Sequence, residues 1–129
     1  MIIGIGTDII ELSRIEKIFG QSTKEKFINR ILTEQEILIG YKRGNSLCEF
    51  VAGRLSAKEA VVKAFGCGIG KKVGFQDIII LNDSEGKPIC SISENALSRL
   101  GIENGLRIHV SISHCRRIVN SFVIIEKNN

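Results

Sequence analysis

Apolar positions along this chain fall into short runs separated by polar breaks, and the runs change period. Residues 2–10 hold five isoleucines and predict a buried strand. Ser13 then stands where an N-cap belongs, and Ile15, Ile18 and Phe19 share one side of a short helix over 14–19. Phe27, Ile28 and Ile31 mark a second short helix over 24–31. Thr33-Glu34-Gln35-Glu36 has the form of a capping box and predicts a third helix start. A polar break follows at 42–45.

The longest helical segment runs from Leu47 to Phe65, and Gly66 stops it. After the glycine-rich stretch Gly66-Cys67-Gly68-Ile69-Gly70, residues 75–81 and 88–92 predict a hairpin turning through residues 82–86. Ser93 is placed to cap a short helix that ends at Gly101. Residues 107–114 and 118–126 predict a second hairpin around Cys115-Arg116-Arg117. Strands joined by hairpins pair antiparallel. The expected fold is therefore α+β: an antiparallel-rich sheet packed around one long central helix, with short helices, in a single domain over 1–129.

Composition narrows the function classes. The chain has 129 residues, 43% hydrophobic and 25% charged, which suits one folded domain with one core. No basic run precedes the apolar start, Asp8 interrupts it, and no stretch reaches membrane-spanning length, so a cytoplasmic location is expected. The four cysteines, Cys48, Cys67, Cys90 and Cys115, form no close pair, which favours inert thiols over zinc ligands or disulfides. A net charge of +4 and a pI near 9.0 favour an anionic partner. Nucleic acid fits poorly, because the chain has one Tyr and no Trp for base stacking.

Several polar residues sit where the apolar pattern does not want them. Asp8 lies in the first strand, on the same face as Gly4 and Gly6. A carboxylate there needs a cation or hydrogen bonds, or else simply ends the strand. The two glycines leave room for a ligand or another chain. Arg54 and Lys58 fall inside the apolar stripe of the long helix, and two cations there need an anion. A structural salt bridge or a bound phosphate satisfies that need. Glu59 and Lys63 are spaced as a helix-surface ion pair, on a polar face with Ser56 and Glu49. If Asp8 comes near Glu59, the two carboxylates with phosphate oxygens make a Mg²⁺ site. In His109-Val110-Ser111-Ile112-Ser113-His114, the residues His109, Ser111 and Ser113 share a face, and His114 precedes two arginines at the turn. That turn is either solvated or a phosphate site.

Taken together and in order, these pieces resemble one family, the holo-acyl-carrier-protein synthases, the small bacterial class of 4′-phosphopantetheinyl transferases. The matching stretches are Gly4-Ile5-Gly6-Thr7-Asp8-Ile9, Arg30-Ile31-Leu32-Thr33, and the run Phe50 to Ala60, which contains Arg54-Leu55-Ser56-Ala57-Lys58-Glu59-Ala60. Lys63-Ala64-Phe65-Gly66, Gly68-Ile69-Gly70, Phe75-Gln76-Asp77-Ile78, Gly86-Lys87-Pro88 and His109 to His114 complete it. The resemblance implies transfer of 4′-phosphopantetheine from coenzyme A to a serine of apo acyl carrier protein, with adenosine 3′,5′-bisphosphate released, for fatty acid biosynthesis. It implies Asp8 and Glu59 as Mg²⁺ ligands and Lys63 as the cation on the same phosphates. It places Arg54 and His114 at the donor's nucleotide end, with Lys58 sharing that role. It also implies a homotrimer with active sites between neighbouring subunits.

The acidic carrier gives the N-terminal third a purpose. Between Ser13 and Leu32 the chain carries Arg14, Lys17, Lys24, Lys26 and Arg30 against Glu16 and Glu25. Of these, Arg14, Lys17, Lys26 and Arg30 are the expected docking residues.

Overall fold

The apolar start forms strand β1 (Ile2–Glu11), and helix α1 (Leu12–Phe19) follows with no intervening loop. The structure is a computed structural model describing residues 1–103 and 105–128. Ser13 lies within α1 and does not cap it. The first helical N–H, that of Leu12, is taken by the Arg117 carbonyl at 2.8 Å, so the turn of the last hairpin replaces the expected side-chain cap.

Helix α2 (Lys24–Ile31) and helix α3 (Glu34–Tyr41) lie where the pattern puts them. The capping box at α3 is complete: the Thr33 N–H donates to Glu36 Oε1 at 2.8 Å, and the Glu36 N–H donates to Thr33 Oγ1 at 3.3 Å. Helix α4 (Leu47–Ala64) is the central element. Beyond it, Gly66 turns the chain at φ 78°, in the left-handed region open to glycine.

Strands β2 (Ile78–Asn82) and β3 (Pro88–Ile92) form the first hairpin. Residues 75–77 make a 3₁₀ turn instead of extending β2, because the Asp77 carboxylate folds back to accept the Gly74 N–H at 2.8 Å. Ser93 caps helix α5 (Glu94–Leu100) through the Ala96 N–H at 3.1 Å. Strands β4 (Leu106–His114) and β5 (Ile118–Lys127) form the second hairpin.

All pairings are antiparallel, and the strands divide into two sheets, ordered β1-β5-β4 and β2-β3. The α+β expectation holds, with that division added. Helix α4 lies across the inner face of the larger sheet, its N-terminal half in one apolar cluster and its C-terminal half in another. One includes Ile15, Ile28, Ile31 and Val51; the other includes Val61, Ile78, Ile80 and Val123. The outer face of that sheet stays open and carries Ile5, Ile9 and Phe122.

The room beside Asp8 belongs to neither a ligand nor another chain. A Cβ at Gly4 would stand 1.8 Å from the Ala64 carbonyl oxygen, and one at Gly6 would stand 1.9 Å from that of Ala60. The glycines let the backbone of α4 settle directly on β1. Ser56 belongs to the same contact: it is fully buried and donates to the Asp8 carbonyl at 3.2 Å. The face expected to be polar and solvated is therefore the seam between helix and strand.

Candidate active site

The seam gathers the acids. Lys63 reaches back from α4 to β1, where its Nζ donates to the Thr7 carbonyl at 3.0 Å and to Asp8 Oδ1 at 3.1 Å. The Asp8 side chain is 14% exposed and Lys63 is 53% exposed, so the pair sits at a rim open to solvent. Glu59 lies one helical turn before Lys63. Burial raises its carboxyl above the ordinary 4.5, and the negative charge of Asp8 adds to this against the opposing pull of Lys63 and Arg14. The two carboxylates are therefore close enough to repel, with two cations beside them.

That arrangement fits a divalent cation. Among the described residues no cluster of three or more His, Cys, Asp or Glu forms. Mg²⁺ does not require one: it keeps several waters and takes one or two carboxylates plus phosphate oxygens. Mutual repulsion between Asp8 and Glu59 is what such an ion would relieve.

The raised Glu59 carboxyl, pushed up by burial first and by Asp8 second, has a measurable consequence for stability. An acid whose folded pKa is raised binds its proton more tightly in the folded state, so it destabilises the fold at pH values above that pKa. Glu59→Gln is therefore expected to raise Tm at neutral pH in metal-free buffer. The gain should vanish as pH falls below 4.5, the ordinary value of the carboxyl. Melting curves across pH check this; a gain independent of pH would contradict it.

A second region lies elsewhere on α4. Arg54 and His114 border a cavity of about 420 Å³, together with Arg43, Phe50, Asn82 and Pro88. Two guanidinium groups lie over the Phe50 ring, Arg43 at 5.0 Å and Arg54 at 4.4 Å from its centroid. Arg54 is held from behind: Nε donates to the Ile80 carbonyl at 3.0 Å and Nη2 to Asn82 Oδ1 at 2.8 Å. Burial lowers its guanidinium to about 10, which leaves it charged at neutral pH. Two arginines and a histidine around one cavity suit a phosphate. Arg54 and Glu59 are five positions apart on α4, roughly 140° around the helix, so the cavity and the acids occupy different faces.

Lys58 does not join either site. Its side chain and that of Glu36 are both 0% exposed. The Lys58 ammonium donates to Glu36 Oε1 at 2.7 Å, to the Ile31 carbonyl at 2.7 Å and to the Phe75 carbonyl at 3.0 Å. An ammonium has three protons and all are used, so the expected share in nucleotide binding is corrected to a buried structural ion pair. In the glycine-rich stretch 66–70, the N–H groups of Gly66, Cys67 and Gly70 bond to the Lys63, Val62 and Val73 carbonyls, so they are not open to a phosphate.

A profile of the 4′-phosphopantetheinyl transferase superfamily matches residues 4–123. The chain belongs to that superfamily. The transferase is 51% identical over 130 residues to a holo-[acyl-carrier-protein] synthase of Geobacillus sp. (strain WCH70), with 98% of each chain covered. It superposes with a TM-score of 0.82 on the crystal structure of a holo-(acyl-carrier-protein) synthase from Bacillus anthracis in complex with CoA (3′,5′-ADP), at 45% identity and 99% coverage of both chains. With a Helicobacter pylori holo-[acyl-carrier-protein] synthase in complex with coenzyme A, the TM-score is 0.81 at 31% identity, covering 95% of this chain and 99% of that one.

Two residues of the transferase's cavity escaped the sequence. Arg43 sits in the polar break before α4, where no period operates, and Asn82 sits at the end of β2 beside a turn. The basic N-terminal residues Arg14, Lys17, Lys26 and Arg30 are all exposed, on α1 and α2. Arg14 is also close enough to lower the Glu59 carboxyl, so the basic surface borders the acids.

The four thiols are free. Burial pushes Cys90 to about 12, which makes it inert, whereas Cys115 is exposed and its thiol is lowered by the backbone around Arg117.

Proposed function

We propose that this transferase moves the 4′-phosphopantetheine group from coenzyme A to a serine of apo acyl carrier protein and releases adenosine 3′,5′-bisphosphate. The reaction is Mg²⁺-dependent, cytoplasmic and serves fatty acid biosynthesis. The observation that carries this reading is the convergence of Asp8, Glu59 and Lys63 at one rim, with Arg14 of the basic surface beside them. The names of the relatives, and the coenzyme A complexes among the related structures, support the same donor and acceptor.

Asp8 and Glu59 are the residues that would hold Mg²⁺, which when bound offsets charge developing on the pyrophosphate. Lys63, now spent on Asp8, is long and half-exposed, so it is free to swing onto the same phosphates. Arg54 and His114 bind the nucleotide end of the donor. No helix of the described residues is long and apolar enough to cross a membrane.

The reading includes a homotrimer with shared active sites. Two observations support it. The cavity with Arg54 and His114 faces a different way from Asp8 and Glu59, so the cavity of one subunit serves the acids of the next. The outer face of the larger sheet presents Ile5 at 59%, Ile9 at 64% and Phe122 at 44% exposure, an apolar surface for subunit contact.

The test is intact-mass spectrometry of apo acyl carrier protein incubated with the transferase, coenzyme A and Mg²⁺, with an EDTA control. The carrier should gain one phosphopantetheine arm, and EDTA should abolish the gain. Cleavage of coenzyme A with no carrier present would instead favour a phosphohydrolase. Docking has its own check. Arg14→Glu is expected to raise KM for the acidic carrier by about tenfold or more while KM for coenzyme A holds. An equal rise in both would remove Arg14 from the docking surface.

A further inference from the structure

We infer that Ser121 is a positioning residue for Asp8, its hydroxyl being the donor that fixes the carboxylate when Asp8 turns from Lys63 to a divalent cation. The inference rests on the cation reading of Asp8 and Glu59 given above.

Ser121 is fully buried in β5, and its Oγ has no hydrogen-bond partner among the described residues. A hydroxyl left unpaired in the interior is costly, and an alanine there would avoid the cost. Such a group points to a partner in another state of the site. The register says which one. Ser121 stands directly opposite Asp8 in the β1–β5 ladder, while its neighbour on the other side is the apolar Ile112. Val119, Ser121 and Val123 are the buried positions of this stretch of β5, and Gly6 and Ile10 are those of β1, so Asp8 and Ser121 share the face toward α4. Opposed residues on one face have Cβ atoms about 4.5–5.5 Å apart.

Asp8 is free to complete the pair by its side chain alone. Its backbone is held, because Ser56 donates to its carbonyl and the ladder pairs it on β5. Its Oδ1 accepts from Lys63, and among the described residues Oδ2 accepts from none. With a cation held at Asp8 and Glu59, the Asp8 side chain would turn from Lys63, and its carboxylate would accept the Ser121 hydroxyl proton as a hydrogen bond. Outer-shell hydrogen bonds of this kind orient a ligand and sharpen metal affinity.

The experiment titrates Mn²⁺ in the presence of coenzyme A, read by electron paramagnetic resonance, on wild type, Ser121→Ala, Ser121→Thr and Asp8→Asn. Ser121→Ala should weaken Mn²⁺ binding by about tenfold or more, and Ser121→Thr, which keeps the hydroxyl, should stay within about twofold of wild type. The metal-free Tm of Ser121→Ala should be unchanged or higher, since an unpaired buried group is removed. KM for the carrier should not move. Wild-type affinity in Ser121→Ala overturns the assignment alone. A metal-free Tm that drops in Ser121→Ala makes the role structural and also overturns it. A wild type that binds no Mn²⁺ sensitive to Asp8→Asn overturns the cation reading and this inference with it.

Discussion

Alanine at Asp8 or at Glu59 is expected to lower the transfer rate by about 10³-fold or more, equivalent to roughly 4 kcal/mol of lost transition-state stabilisation. Folding should survive. The Asp8 side chain pairs only with half-exposed Lys63 among the described residues, and such pairs contribute about 0–1 kcal/mol. Losing Glu59 relieves repulsion. The double variant should be scarcely slower than either single one, because both acids serve one function. Transfer rates by mass spectrometry, with circular dichroism as a folding control, check all three. Near-normal turnover in either single variant would end the assignment of these acids.

Lys58→Met is expected to have the opposite signature, with a large loss of stability and little change in KM for coenzyme A. Burial lowers the Lys58 ammonium, and only Glu36 and two carbonyls hold it charged in the interior. Without it, the Glu36 carboxylate stays buried with the N–H groups of Thr33 and Ile80 but no cation. Breaking one side of a buried pair costs about 3–5 kcal/mol. Lys58→Met with Glu36→Gln should recover part of that, since no charge is left behind. Urea unfolding measures both. A loss below about 1 kcal/mol in the single variant would mean that Glu36 finds other compensation.

This pair also marks where the sequence stops being legible. A stripe of apolar positions with Arg54 and Lys58 inside it shows that two cations are buried, but not what meets them. The answer for Lys58 is Glu36, 22 positions away, and the signal was already present as the acid of the α3 capping box. One carboxylate does both jobs, and a cap reading uses only the local one. For Arg54 the surroundings are β2 and a cavity wall, with partners 26 and 28 positions away.

Elements were easier. Capping residues, glycine stops and hairpin turns act over a few positions, so α2, α3, α5 and the second hairpin lie within a residue or two of expectation. The start of α1 and the first residues of β2 deviate, α1 because the distant Arg117 carbonyl takes the Leu12 N–H and β2 because the Asp77 carboxylate folds back onto the Gly74 N–H. Gly4 and Gly6 mark open space in the sequence, yet what fills it is the backbone of Ala64 and Ala60 in a helix far along the chain, beyond any local period.

That contact between α4 and β1 has a consequence for how the protein tolerates change. The gap between the strand carrying Asp8 and the helix carrying Glu59 is filled by main-chain atoms, so its width is set by atomic radii common to every amino acid. Aliphatic residues elsewhere in the interior are then free to exchange, one shape for another, without respacing the two acids. The sequence of the core can drift while the distance between the two acids stays constant.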